Sequence, residues 1–269
     1  MQFSKYVALA ACFSTAAVAA PHYRRDCTNP TPTPTLPSTG STDLPSPPSN
    51  VTLKYIAIGH GIQNYTCAST TATAVNIGAL AVLYDITPLY PGTPTTGLST
   101  YEFNSLSSTV LWSQDIPLNL LDPAAGKASS TTTSFPETDY QAVASDPFPS
   151  SPSDLSLRSQ GISAKFLGHH YFDSSSSPTF DLSAVGLFFS GAKAADVKAP
   201  AGADAGILGT GAVDWLQLKD NGRGLSKGLS IVYRVETAGG VAQACSVSGV
   251  NPTGEVFSVP YAAQYWFYG

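Results

Sequence analysis

The hydrophobic pattern of the chain consists of short alternating stretches, and no window keeps the spacing of an amphipathic helix. The run from Gly78 to Ile86 is almost continuously apolar, which is typical of a strand buried on both faces. Gly59-His60-Gly61 interrupts the first alternating stretch and is expected to separate two strands. The predicted strands cover residues 51–58, 62–68, 78–86, 164–172, 184–189, 212–218, 229–237, 241–247 and 263–268, with a further one around 109–113.

Short strands without helical crossovers predict an all-β fold, an antiparallel β-sandwich or barrel with long loops. Asp220-Asn221-Gly222 and Gly239-Gly240 supply turn residues between the later strands. Residues 119–160 are rich in Ser, Thr, Pro and Asp. A loop of that length is usually a functional lid or a disordered segment.

The N-terminus carries the pattern of a secretory signal. Lys5 precedes an apolar run, and Ala17-Val18-Ala19 provides the small residues that signal peptidase requires. We therefore expect residues 1–19 to be a signal peptide and the mature protein to be secreted, to the extracellular space or the cell wall. The apolar run is shorter than the roughly 20 residues of a membrane span, so no span is expected.

Three further segments follow the signal peptide. Residues 20–25 form a short pro-segment that ends in the dibasic pair Arg24-Arg25. Residues 26–50 repeat Thr and Pro, which favours an extended, disordered linker that buries little apolar area. Residues 51–269 hold all the predicted strands and are expected to form a single β-rich domain.

The charge balance argues against nucleic acid as a partner. The chain has 18 acidic and 13 basic residues, a net charge of −5. Removal of residues 1–25 would take away three basic residues and no acidic one, leaving −8. A negative surface repels phosphate backbones. Charged residues are only 12% of the chain, and this, with 23 Gly and 21 Pro, suits a loop-rich extracellular β protein.

Three of the four cysteines lie beyond the signal peptide, and Cys27, Cys67 and Cys245 allow three pairings. We favour Cys67–Cys245 because both residues adjoin predicted strands. Cys27 lies in the linker and would be free or paired between molecules. The favoured bridge would stabilise the fold by about 4–5 kcal/mol in the chain-entropy model. Asn50 and Asn64 each begin an N-glycosylation sequon, which predicts a glycoprotein.

His169-His170 is the most prominent pair of titratable residues. Neighbouring side chains on a strand face opposite sides, so the two cannot readily bind one metal ion, and no metal site is predicted. We favour one surface histidine and one core histidine hydrogen-bonded to backbone. The alternative is an acid–base site in which one histidine works with Asp173, Asp181 or Asp214.

Asp214 lies on the apolar face of a predicted strand, with Leu216 and Leu218. A carboxylate in that position needs a partner or acquires a raised pKa. We favour a structural Asp214–Arg234 pair, or an Arg234–Glu236 pair in its place. The competing hypothesis makes Asp214 a general acid.

Aromatic residues in the predicted loops are candidates for binding. Tyr90, Tyr101 and Trp112 could stack on sugar rings, although such residues more often anchor a loop on the core. The glycines of residues 206–211 are in the wrong order for a dinucleotide-binding motif, and no βαβ unit surrounds them. No cofactor is expected.

Five segments of the chain together resemble the secreted domain-of-unknown-function family 3455, found in filamentous fungi and bacteria. They are Gln63–Cys67, Gly168–Phe172, Val213–Leu218, Tyr233–Gly240 and Val259–Tyr268. The resemblance covers about residues 51–269 and also implies the Cys67–Cys245 pairing. The family has no established catalytic residues to transfer. Some fungal members are labelled malate dehydrogenase, but this sequence has neither a nucleotide-binding fold nor the residue pairs that such chemistry needs.

The sequence predicts a secreted, non-enzymatic binding or surface-interaction protein that recognises carbohydrate or a cell surface. This prediction depends on the Thr/Pro linker, the acidic and charge-poor composition, the loop aromatics and the lack of a complete catalytic constellation. The alternative is a secreted hydrolase that uses an Asp/His pair. The balance is against an enzyme, and the sequence leaves the question open.

Overall fold

A computed structural model of the chain describes residues 32–128, 140–247 and 254–269. The predicted signal peptide, the pro-segment and Cys27 lie outside these residues. The described part contains nine strands, two short helices and three single 3-10 turns. The strands are β1 Leu53–Thr66, β2 Val75–Asp85, β3 Leu155–Leu157, β4 Ile162–Phe172, β5 Pro178–Leu182, β6 Leu187–Val197, β7 Trp215–Asp220, β8 Ile231–Gly239 and β9 Val256–Tyr268. The helices are α1 Thr100–Asn104 and α2 Leu106–Ser113, and the 3-10 turns are Thr87–Leu89, Arg158–Gln160 and Ser183–Val185.

The strands form one antiparallel sheet that closes on itself. Their order is β2-β1-β9-β8-β7-β6-β5-β4-β3, and β2 also pairs with β4, where Val82 lies opposite His169. Eight strands therefore make a closed ring, and β3 pairs with β4 outside it. Register shifts in several strand pairs keep the ring from being a regular barrel. The predicted all-β antiparallel fold is confirmed.

The ring is packed on both of its faces. Inside, Phe180, Phe189 and Phe267 are fully buried and fill one half of the interior. Outside, α1 and α2 cover β9, where the buried Gln264 donates to the backbone oxygen of Phe103 at 2.8 Å. Each aromatic side chain buried in this way contributes about 1.5–3 kcal/mol. The other half of the interior remains open.

β1 runs straight through Gly59-His60-Gly61, so the predicted break between two strands is wrong. These glycines make room inside the ring, and no turn forms there. A Cβ at Gly59 would stand 2.6 Å from the Tyr265 ring, and one at Gly61 would collide with the backbone oxygen of Leu80. Glycine in a strand often marks such a close approach.

Two predicted strands do not form, and one strand of the ring was missed. Residues 109–113 belong to α2, after a capping box between Ser99 and Glu102 has started α1. Residues 241–247 are not a strand, because the chain leaves the sheet after β8 to place Cys245 against Cys67. The strand β5 was not predicted. Within the described residues, neither helix has the length and apolar character needed to cross a membrane.

The described part of the predicted linker, residues 32–50, packs on the domain. Leu36 and Leu44 contact the core outside the ring. The backbone oxygen of Pro45 accepts hydrogen bonds from the Tyr233 hydroxyl at 2.8 Å and from Gln217 Nε2 at 3.3 Å. This stretch therefore buries apolar area, contrary to the expectation from its Pro and Thr content.

The described parts of the predicted long loop, residues 119–128 and 140–160, also contact the ring. The backbone of Asn119 donates to Pro147 and accepts from Val143, and Leu120 pairs with Ala142. Leu120 and Tyr140 are buried in the outer core. These contacts hold residues 119–120 and 140–147 against each other and against the outer core.

Cys67 and Cys245 form a disulfide, which confirms the predicted pairing. Their Cα atoms lie 5.8 Å apart, an ordinary separation for this bond. The bridge joins the end of β1 to the segment that follows β8 and closes a loop with a sequence separation of 178 residues.

Candidate functional site

Two cavities lie against β7 and β8. We call them the ring cavity, of about 720 Å³ in the open half of the ring, and the outer pocket, of about 490 Å³ between these strands and the two helices. Trp215 lines the outer pocket, whereas its neighbour Leu216 lines the ring cavity. This follows from the alternation of side chains along a strand. The same two strands thus line two cavities.

The ring cavity receives at least one residue from each of the eight ring strands. Phe172, Phe180 and Leu218 make its wall apolar, and Gln63 and Asn76 add amide groups. Gln63 is buried, and its Nε2 has no hydrogen-bond partner in the described structure. Such a mixture of apolar wall and a few converging polar groups is typical of small-molecule sites.

Arg234 extends from β8 to the wall of the ring cavity. Its Nε and Nη2 donate to the backbone oxygen of Asp214 at 3.2 and 2.8 Å. The Asp214 carboxylate instead accepts from Lys198 Nζ at 2.9 Å. Arg234 and Asp214 are therefore in contact, as the favoured prediction had them, but through backbone. In the part of the chain that the structure describes, no carboxylate lies within ion-pair distance of Arg234.

The charge of Arg234, which no carboxylate compensates among the described residues, affects the pKa of nearby tyrosines. Burial raises the pKa of Tyr65 and of Tyr265, and the Arg234 charge opposes that shift in both. The two phenols keep their protons at neutral pH: Tyr65 donates to the backbone oxygen of Gly240 at 2.7 Å, and the Tyr265 hydroxyl shares a hydrogen bond of 2.9 Å with that of Tyr261. Of the charged side chains that line the cavity, Lys193 pairs with Asp196 at 3.0 Å and Lys198 pairs with Asp214. Arg234 leaves the lining with one net positive charge.

His170 and His169 face opposite sides of β4, as the alternation predicted. His170 is 3% exposed, stacks on Phe180 with ring centroids 4.1 Å apart, and lines the ring cavity. Its Nδ1 lies 2.8 Å from the backbone oxygen of Thr179, so Nδ1 carries the proton and Nε2 is an acceptor. Burial lowers the pKa of His170 to about 4, with the Arg234 charge acting in the same direction. The imidazole is therefore neutral.

His169 packs outside the ring on Phe148 and Phe166, at centroid distances of 4.1 and 5.2 Å. Burial lowers its pKa, and the charge of Asp181 partly offsets the shift. Asp181 lies opposite His169 in the β4–β5 pairing and accepts a hydrogen bond from the Ser183 backbone. Neither His169 nor Asp181 lines a cavity described above.

Asp173 holds the turn between β4 and β5. It accepts hydrogen bonds from the backbone of Ser175 and Ser177 and pairs with Arg223 at 2.6 Å. The backbone hydrogen bond from Ser177 and then the Arg223 guanidinium lower the pKa of Asp173. Of the predicted acid–base candidates, only His170 and Asp214 therefore line the same cavity, the ring cavity.

The aromatic candidates differ in their surroundings. Tyr90 packs edge-on against Phe103 and Trp266, so it anchors a loop on the core. Tyr101 is 83% exposed on α1 and lines the outer pocket. Trp112 is 41% exposed, and its indole donates to Asp204 at 2.7 Å. Two of the three candidates therefore lie at or beside the outer pocket.

The outer pocket contains two acidic residues, Asp204 and Glu236, whose importance the sequence did not reveal. Asp204 accepts hydrogen bonds from the Ser108 hydroxyl, the Trp112 indole and the backbone of Gly206. The Asp-Ala-Gly sequence at 204–206 is a turn signal, but turn residues do not indicate a ligand.

Glu236 is half-buried at a β-bulge in β8. Its φ of 45° is unusual for a residue with a side chain, and the pairing with β9 shifts register between Val235 and Ala238. Burial raises the pKa of Glu236 to about 7. The predicted Arg234–Glu236 pair does not form, because the bulge sends the two side chains to different cavities.

The predicted glycosylation sites lie in different settings. Asn50 is exposed in a turn before β1. Asn64 lies within β1, half-buried, and its side-chain oxygen accepts from the Ser258 hydroxyl at 2.8 Å. Both remain predictions. Among the described residues there is no cluster of three or more His, Cys, Asp or Glu side chains that could hold a metal ion.

Comparison with curated proteins and with solved structures finds no match. A family model does match, over residues 47–269, and its description is "Protein of unknown function (DUF3455)". The matched range includes every strand of the ring, both cavities and the disulfide. The chain therefore belongs to the DUF3455 family.

Proposed function

We propose that the protein is a non-enzymatic, extracellular binding protein whose ring cavity takes a small acidic saccharide. The observation that carries the proposal is Arg234, a guanidinium on the wall of a cavity of about 720 Å³ with no carboxylate partner in the described structure. A half-buried cation without a counter-ion favours an anion from outside. Guanidinium groups bind carboxylates in a bidentate manner.

The rest of the lining supports a sugar as the body of the ligand. Gln63 has an unpartnered amide nitrogen that can donate to a sugar hydroxyl. The Tyr65 hydroxyl and the Asn76 side-chain nitrogen donate within the protein, so their oxygens are the atoms that can accept from a ligand. Phe172 offers an apolar face of the kind on which sugar rings pack. The volume is within the usual range for small-molecule sites, roughly 300–1,000 Å³.

Binding is favoured over catalysis in this cavity. The neutral His170 is bound to a backbone oxygen and stacked on Phe180, and a pKa of about 4 makes it a weak base. The carboxylate of Asp214 is held by Lys198. Neither group has the hydrogen-bonded partnership that an Asp/His catalytic pair requires.

Secretion is part of the proposal. It is supported by the N-terminal signal pattern and by the Cys67–Cys245 disulfide, since such bonds persist in oxidising compartments. We expect the full-length gene, expressed in a secreting host, to yield protein in the medium. N-terminal sequencing should find Asp26 as the first residue. Retention of the whole chain inside the cell would contradict this part of the proposal.

Isothermal titration calorimetry with galacturonate and galactose tests the ligand class. These sugars differ only in the carboxylate, so galacturonate should bind at least about tenfold more tightly, since a charge-assisted hydrogen bond contributes roughly 1.5–3 kcal/mol. Arg234→Gln should remove that difference. Arg234→Lys should restore only part of it, because an ammonium lacks the bidentate geometry.

Lys219→Gln is the matched control. It removes one positive charge from an exposed position of β7 outside the cavity and should leave galacturonate binding unchanged. Equal affinity for galactose and galacturonate, or an equal effect of the two glutamine variants, would contradict the proposal.

A further inference from the structure

We propose that the outer pocket is a second binding site, which takes a polyhydroxylated primary amine such as an amino sugar. This site lies outside the ring and does not depend on the function proposed for the ring cavity. The inference depends on the charge of the pocket, the state of Glu236, and two buried polar groups without partners.

The charge of the pocket fits a cation. Asp204 and Glu236 line it, and none of the described residues that line it is Lys, Arg or His. Tyr101 from α1 is the one other titratable side chain of the lining, and β7 contributes the neutral Trp215. An ammonium group would supply the positive charge that the lining lacks.

The backbone bulge of β8 fixes the position of Glu236, whose carboxylate has no ion-pair partner among the described residues. Among the described residues no side chain pairs with its carboxylate, and burial alone raises its pKa. Its backbone lies in the left-handed region, which is strained for a residue with a side chain, and such strain is concentrated at functional sites. A bound ammonium would stabilise the charged carboxylate and offset its loss of water.

Two buried polar groups of the lining point to hydroxyls on the ligand. Ser107 is 2% exposed and Trp215 is 1% exposed. The Ser107 hydroxyl and Trp215 Nε1 have no hydrogen-bond partner in the described structure, although buried polar groups are usually paired. An indole N–H can only donate, so it requires an acceptor such as a hydroxyl oxygen. A polyol that also carries an amine supplies both kinds of group.

The remaining walls are already fixed. Three donors hold the Asp204 carboxylate, and through them it joins α2 to the loop before β7. The Tyr101 ring is exposed at the rim, where it can cover the apolar side of a bound polyol. A site with fixed groups loses little freedom on binding.

Calorimetry with glucamine and glucitol tests the inference on the full-length secreted protein. The two probes share one polyol chain and differ in a terminal amine or hydroxyl. Glucamine should bind at least about tenfold more tightly than glucitol at pH 8, as expected for a charge-assisted contact. Glu236→Gln should remove the preference. A cooperative urea unfolding transition followed by tryptophan fluorescence should show that the variant is folded.

The pH dependence gives a second readout. An alkyl ammonium keeps its charge well above pH 8, whereas Glu236 must ionise to pair with it. Glucamine affinity should therefore rise severalfold from pH 6 to pH 8 in the wild type and not in Glu236→Gln. Asp220→Asn, which removes an exposed negative charge and keeps the oxygen that accepts from Gly222, should behave as wild type. Equal binding of the two probes, or an unchanged preference in Glu236→Gln, would overturn the inference.

Discussion

The ring cavity and the outer pocket are built on the same two strands but have opposite electrostatic character. Arg234 gives the ring cavity a positive charge that no described carboxylate neutralises, and Glu236 and Asp204 make the outer pocket acidic. The ring cavity is formed by the closed sheet alone, whereas the outer pocket also needs α1, α2 and the loop at 200–204. The two faces of one sheet therefore line cavities of opposite charge, which is why we propose a different ligand for each.

The first prediction concerns the sheet that both cavities share. Gly61→Ala would force a Cβ against the backbone oxygen of Leu80 inside the ring. We expect the free energy of unfolding to fall by about 3 kcal/mol, since overpacking against backbone cannot relax easily. Urea denaturation followed by tryptophan fluorescence measures the change.

Gly202→Ala is the control for that substitution. Gly202 lines the outer pocket, and a Cβ there meets nothing within 4 Å. Its effect should stay within about 0.5 kcal/mol. Equal stability losses in the two variants would show that the close approach inside the ring does not matter.

The second prediction concerns the ring side, where acid should be destabilising. The folded pKa of His170, about 4, lies below the ordinary value of 6.5, so its contribution to stability is present above pH 6.5 and is lost as the pH falls towards 4. Replacing it with a group that does not titrate, in His170→Gln, should reduce the stability lost between pH 7 and pH 4.5 by about 2–3 kcal/mol. Unfolding curves at a series of pH values measure the slope.

Two other histidines serve as comparisons for this pH dependence of the free energy of unfolding. His60 is also buried with a pKa lowered to about 4, so part of the acid sensitivity should remain in His170→Gln. His169 is only half-buried outside the ring, so His169→Gln should change the slope less. An unchanged slope in His170→Gln would mean that this imidazole is not held neutral in the folded protein.

The third prediction has the opposite sign and concerns the outer pocket. The folded pKa of Glu236, about 7, lies above its ordinary value of 4.5, so its contribution is present at low pH and is lost as the pH rises towards 7. Glu236→Gln cannot ionise at this position and should not lose stability in this way. The difference in free energy of unfolding between the variant and the wild type should therefore rise by about 2 kcal/mol from pH 4.5 to pH 8, a value reduced because the side chain is partly exposed.

Asp220→Asn serves as the reference for this pH series. It should track the wild type, since the exposed side chain keeps an oxygen for Gly222. A stability difference between Glu236→Gln and wild type that does not change with pH would contradict the raised pKa.

Alternation of apolar residues predicted most of the ring, including the opposite facing of His169 and His170. The prediction failed where the same local sequence is compatible with two kinds of secondary structure. Gly59 and Gly61 look like turn residues, and only contacts with β2 and β9 show that they provide space. Thr109 and Val110 favour a strand by propensity, but burial of Leu111 and Val110 against the ring stabilises a helix there.

The sites were less predictable than the fold, because each depends on distant partners. Asp214 and Arg234 were expected to pair, but Lys198, 16 residues before Asp214, takes its carboxylate. Asp204 belongs to an irregular loop, and its two side-chain donors come from α2, 92 to 96 residues earlier in the chain. No local pattern records such contacts.

The bulge at Glu236 separates two opposite charges that regular strand geometry would unite. In an uninterrupted strand, residues two apart share a face, and the carboxylate would lie beside the Arg234 guanidinium inside the ring. The two charges would then neutralise each other. The ring cavity would lose its unpaired positive charge, and the outer pocket would lose the carboxylate of Glu236. One extra residue in β8 therefore keeps the two charges apart, and under the two proposals a deletion that restored the register would abolish both binding activities at once.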